Sequence, residues 1–102
     1  MTADQRLAGA NSKPRLLFFY SARDGRARRV EGYIAQVLQH RRNHDTFVVH
    51  NIEVSARPDL RERFRVDGEL TLIVVHGRAT RARLDRPRNA KMITEFLEPW
   101  LR

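Results

Sequence analysis

The run Leu16-Leu17-Phe18-Phe19-Tyr20 limits what this chain can become more than any other feature. Successive large apolar residues cannot alternate between core and water. They suit a strand buried on both faces, which requires helices packed on each side of a sheet. Two further runs, Phe47 to Ile52 ("FVVHNI") and Leu70 to His76 ("LTLIVVH"), read as buried strands on the same grounds. Between the first two, Val30, Tyr33, Ile34, Val37 and Leu38 fall at i, i+3, i+4, i+7 and i+8, the stripe of a helix of about four turns. Ser21 to Gly25 is the turn before it, with Asp24 placed to accept from the free amides of its first turn. Arg41 and Arg42 complement its dipole at the far end, and "RRNHD" follows as a polar loop.

Ser55-Ala56-Arg57-Pro58-Asp59 opens a second helix, with Pro58 where proline is tolerated and Leu60 and Phe64 as its small apolar face. Asp67-Gly68 ends it. His76-Gly77-Arg78 is a tight hairpin into a fourth strand, Ala79 to Leu84, whose Arg81 and Arg83 suit a sheet edge. Pro87 and Asn89 open a last helix, with Ile93, Phe96, Leu97 and Trp100 on one face. The order β-α-β-α-β-β-α specifies an α/β fold, a four-stranded mixed sheet with helices on both faces. Strands joined through a helix are expected to be parallel, and the hairpin adds an antiparallel one. Residues 1–13 are small and polar and read as a flexible tail; residues 14–102 form one domain.

The chain of 102 residues has no cysteine, which excludes disulfides, thiolate metal sites and thiol nucleophiles. No apolar leader is visible and the longest apolar run is too short to cross a bilayer, so a cytoplasmic protein is expected. Twenty basic residues, all arginine except Lys13 and Lys91, face 12 acidic ones, for a net charge of +8. That balance points toward polyanions, although arginines also serve as ordinary solvated surface. His40, His44, His50 and His76 show no metal-ligand spacing, and neither a nucleophile elbow nor a glycine-rich phosphate loop is present. Nothing points to a cofactor.

With these motifs the chain resembles the thioredoxin family over residues 14–101. Tyr20-Ser21-Ala22-Arg23-Asp24-Gly25-Arg26-Ala27 is similar to the strand-to-helix segment that carries the family's paired cysteines. Asp24 and Ala27 stand at the two cysteine positions, Gly25 matches the glycine, and Arg26 takes the place of the proline. Pro58, Phe64, Val66 and Gly77 match further family positions, while Leu70 before Thr71 replaces the cis-proline and Phe18 replaces the buried acid. A dithiol needs an attacking thiolate, a resolving thiol and a proton acceptor, and all three are gone. The resemblance therefore implies the fold without thiol redox chemistry.

It also implies that three loops meet at the former active site. The candidate partner-binding residues are Arg23, Asp24, Gly25, Arg26 and Ala27 from the first loop, Glu69 and an exposed Leu70 from the second, and Asp85 and Arg86 from the third. Mixed charge around an apolar residue suits an unidentified protein partner. The alternative is a nucleic-acid or ribonucleoprotein contact, with Arg28, Arg29, Arg61 and Arg65 binding phosphates. Arginines around the start of the first helix could also seat an anion, although Asp24 competes for that place.

Overall fold

The computed structural model describes residues 13–67 and 70–101, the side chains at 41, 42 and 44 excepted. Strand β1 (Arg15–Tyr20) leads through the Ser21–Gly25 turn into helix α1 (Arg26–Gln39). A 3-10 segment (His40–Asp45) then precedes β2 (Val48–Glu53), helix α2 (Pro58–Arg63), β3 (Thr71–His76), β4 (Ala79–Asp85) and helix α3 (Ala90–Leu97). A last 3-10 turn, Glu98–Trp100, follows. The tail expected over residues 1–13 lies, but for Lys13, outside the described residues.

The sheet order is β2-β1-β3-β4. β1 pairs with β2 in parallel and with β3 antiparallel, and β3 pairs with β4 antiparallel. The expected parallel relation therefore holds for the crossover through α1 and fails for the connection through α2. Length explains the difference. The six residues of α2 rise about 9 Å, roughly half the length of a six-residue strand, so that helix cannot carry the chain back to the start of the sheet. β3 begins instead at the end where β2 stops, and runs the opposite way.

Alternation along β1 divides the core in two. Leu16 and Phe18 face α1 and α3, in a cluster with Val30, Ile34, Val37, Leu38, Leu72, Val74, Ile93 and Leu97. Leu17 and Phe19 face the other side with Ile52, Val54, Val66 and Ile73, where Leu60 and Phe64 at α2 pack on them. The α1 stripe and the aromatic core positions are as expected, with Tyr33, Phe96 and Trp100 half-buried against the first cluster. Asn89 caps α3 by accepting from the Met92 amide at 2.9 Å. Gly77 supplies the hairpin with φ +64.

Two local expectations are overturned. Among the described residues the second strand is an edge, not a buried strand: Val48 and Val49 are 36% and 39% exposed, because no described strand lies beyond β2 in the sheet. The "RRNHD" loop is a 3-10 turn organised by Asn43, which is buried. Its amide donates to the His40 carbonyl at 2.7 Å and its oxygen accepts from the Thr46 hydroxyl.

Candidate functional site

The sheet register aligns Phe19 with Thr71 and Thr71 with Asp85. The loops after β1, before β3 and after β4 consequently leave the sheet at one end and form a rim. Arg23, Gly25 and Arg26 are exposed there, and Asp24 and Ala27 are half-buried. Gly25 occupies the residue before α1, but the capping oxygen comes from Asp24. Its Oδ1 accepts from the Arg26 amide at 2.9 Å and from Arg26 Nε at 3.0 Å, while Oδ2 accepts from Arg26 Nη2 at 2.8 Å. The Arg26 guanidinium and amide hold the Asp24 carboxyl below its ordinary range. The place where a helix start would attract an anion is thus taken by the chain's own carboxylate.

The other side of the rim is built around Asp85 and Arg86. Arg83 Nε donates to Asp85 Oδ1 at 3.1 Å, and Thr71 Oγ1 donates to the same oxygen at 3.2 Å. Hydrogen bonds from Arg83 chiefly lower the Asp85 pKa. Arg86 adopts φ +56, donates its amide to the Leu70 carbonyl at 2.8 Å and places Nη2 3.8 Å from Asp67 Oδ2. Asp67, Arg83, Asp85, Arg86, Arg88 and Met92 line a small cleft here. Asp67, Arg83 and Arg88 are additions to the expected rim, and no sequence signal places them there. Arg83 also clamps the end of α2, donating to the Phe64 carbonyl and, at 3.0 Å, to that of Arg65, whose φ is +53.

Leu70 corrects the expectation of an apolar residue at the surface. Its side chain is 1% exposed and belongs to the α1/α3 cluster. Glu69 lies outside the described residues. The four arginines of the nucleic-acid reading are not brought together. Arg28 and Arg29 are on α1 and Arg61 and Arg65 are at α2, on opposite faces of the sheet. Arg61 Nε is engaged with the Val66 carbonyl at 3.1 Å. Among the described residues there is no cluster of three or more groups able to hold a metal, and no helix long and apolar enough to cross a membrane.

No protein-family model and no curated protein matches the chain. Solved structures do match it. The germline-specific thioredoxin Deadhead of Drosophila melanogaster superposes with a TM-score of 0.78 at 20% identity, over 95% of this chain and 90% of that one. Trxlp of Edwardsiella tarda gives 0.77 at 18% identity, over 91% and 87%. A mutant thioredoxin of Halobacterium salinarum gives 0.76 at 14% identity, over 100% and 87%. The chain has the thioredoxin fold.

Within that fold, three of the substituted positions share one environment, whereas Asp24 and Arg26 form an ion pair at the surface. Phe18 and Leu70, standing where the resemblance puts the buried acid and the cis-proline, are both buried in the α1/α3 cluster. Ala27, at the position of the second cysteine, packs against the same cluster, as does Tyr20, whose ring centroid is 5.5 Å from that of Phe18. The chain carries no thiol to react and, at Phe18, no group to move a proton.

Proposed function

We propose that this chain is a redox-inactive thioredoxin-fold module that binds a protein partner across the rim formed by Arg23–Ala27, Asp85 and Arg86. The observation that carries this reading is the charge compensation of the rim. Asp24 is paired with Arg26, Asp85 with Arg83, and Asp67 with Arg86. A surface of alternating, mutually held charges selects a complementary protein face and offers little to a polyphosphate backbone. With Leu70 buried, the contact rests on the polar residues of the rim and not on an apolar centre.

The test is capture from a lysate of the protein's own host by the wild type and by Arg23→Glu/Arg86→Glu, each with and without nuclease. Nuclease-resistant capture of a defined protein, lost in the variant, supports the reading. Capture that vanishes with nuclease, or that ignores both substitutions, overturns it. The nucleic-acid alternative rests on the net charge of +8. It predicts heparin affinity that falls steeply with salt and is weakened by removing Arg28, Arg29, Arg61 and Arg65.

A further inference from the structure

Among the described residues the two faces of the sheet are unequally covered. The face toward α1 and α3 carries two helices, whereas the face of Leu17 and Phe19 carries only the six residues of α2. α2 lies over the Phe19 end, with the Phe64 ring 5.7 Å from that of Phe19. Toward the start of β1, Leu17, Leu60, Phe64 and Val75 floor a groove that runs from β2 across β1 to β3. A sheet face with this much hydrocarbon is ordinarily closed by a further element.

The chain itself arrives at that end. Residues 1–12 run into Lys13 and Pro14, and the Pro14 carbonyl accepts from the Val48 amide at 3.1 Å, which sets the point of entry against β2. Strands β2 and β3, on either side of β1, lie about 10 Å apart. Residues 3–8 as a helix would rise about 9 Å and so cross that width. The sequence there is suited to such an element. Thr2 and Gln5 have the T-x-x-Q spacing of a capping box, Ala3 and Leu7 fall four apart on one face, and Gly9 stands where a helix stops. A helix this short does not hold in water, so its order has to come from packing.

Arg15 supplies a second observation. Its Nη1 donates to His50 Nε2 at 2.7 Å, and its Nε is buried with no acceptor among the described residues. A buried N–H without a partner is costly, and the backbone just ahead of Lys13 is the nearest source of a carbonyl for it. Charge agrees. Arg63 and Arg78 border the groove and make no ion pair among the described residues. Asp4, the one acid of residues 1–12, follows Ala3 in the sequence and would flank the Ala3–Leu7 face. A second copy of the chain is a poor occupant, since its net charge of +8 would bring more arginine to a cationic border.

We propose that residues 2–8 of this chain close the groove as a short helix, with Leu7 seated among Leu17, Leu60, Phe64 and Val75, and that the backbone after it accepts from Arg15 Nε. The α2 face of the sheet is then internal. The inference stands apart from the rim and does not depend on the rim's having a partner.

The test uses the full chain, isotope-labelled, in solution by NMR. The Leu7 methyls should show contacts to the Phe64 ring and the Val75 methyls, residues 3–8 should have helical carbon shifts, and the Arg15 Nε–H should exchange slowly. Leu7→Asp should remove the contacts and lower the urea midpoint by about 1 M, whereas Leu7→Met should keep most of both. Arg23→Glu/Arg86→Glu should leave them unchanged. The wild-type contacts decide the matter even if Leu7→Asp does not fold. Random-coil shifts over residues 1–12, an unmoved midpoint in Leu7→Asp, or backbone contacts from residues 1–12 along the outer edge of β2 at Val48 and His50 would each overturn the proposal. So would contacts that vanish on dilution, as those from a second copy would.

Discussion

Truncating Leu70 to alanine tests whether the rim has been joined to the core. Leu→Ala removes roughly three methylene-sized groups, a transfer loss of about 2.4 kcal/mol at about 0.8 kcal/mol per group. Leu70 is 1% exposed in a cluster that includes Phe18, Leu72 and Leu97, so collapse around the gap is incomplete. A residual cavity of about 40 Å³ adds roughly 1 kcal/mol, giving about 3 kcal/mol in all. For a domain of this size that lowers Tm by about 12–24 °C. Urea unfolding of the variant should be followed by far-UV circular dichroism and by Trp100 fluorescence. Trp100 is the only tryptophan and stands edge-on to Phe47, 6.1 Å away, against the same cluster. The midpoint should fall with the slope unchanged. A change within about 0.5 kcal/mol, the range for surface substitutions, would refute the argument and return Leu70 to the surface. Leu70→Asp should leave little folded protein, because it buries an unpaired charge. It would report on folding and not on partner binding.

Asp24→Cys/Ala27→Cys should close a disulfide, because the Ala27 amide already bonds the Asp24 carbonyl at 3.1 Å in a tight turn. Its turnover with a disulfide substrate should stay poor, since Phe18 supplies no proton acceptor; efficient insulin reduction would show that position to be unimportant. Burial, and then the charge of Arg15, depress the His50 pKa. Below about pH 6.5 the unfolded chain therefore gains a proton that the folded one resists, and stability falls as pH drops from about 6.5 toward the lower folded value. His50→Gln should show a smaller loss of urea midpoint between about pH 7.5 and 5.5 than the wild type; an equal loss would contradict that assignment. Arg83→Ala should cost about 1–2 kcal/mol by freeing the Phe64 and Arg65 carbonyls, seen as faster amide exchange at the end of α2. Unchanged exchange there would mean that solvent replaces the clamp at no cost.

How much of this is legible in the sequence depends on whether the deciding interaction is local. The α1 stripe, the Asn89 cap and the Gly77 hairpin are readable, because each is settled by neighbours within a few residues. Strand existence is readable too, since unbroken apolar runs have few other uses. Strand order is not. Val48 and Val49 look as buried as Leu72 and Ile73 in a one-dimensional pattern, and only the position of β2 beyond β1 exposes them. At the rim, the resemblance places Leu70 along the backbone but cannot give the direction of its side chain. The left-handed turns at Arg65 and Arg86 are invisible because arginine, unlike glycine, does not announce a positive φ.

The distribution of charge ties these observations together. Three acids of the rim are each held by an arginine, so the rim carries little net field despite its many charged groups. The surplus behind the net charge of +8 must then lie mainly elsewhere. Part of it lies on α1 at Arg28 and Arg29, and part on the opposite side of the sheet at Arg15, Arg63 and Arg78. Charges held in pairs recognise by shape and register, whereas unpaired charges beside hydrocarbon attract at a distance and respond to salt. Association through the rim, held by exposed but paired charges, should weaken gently as ionic strength rises. A polyphosphate held only by arginines would lose affinity steeply with salt, which makes the slope of binding against ionic strength the measurement that separates the two.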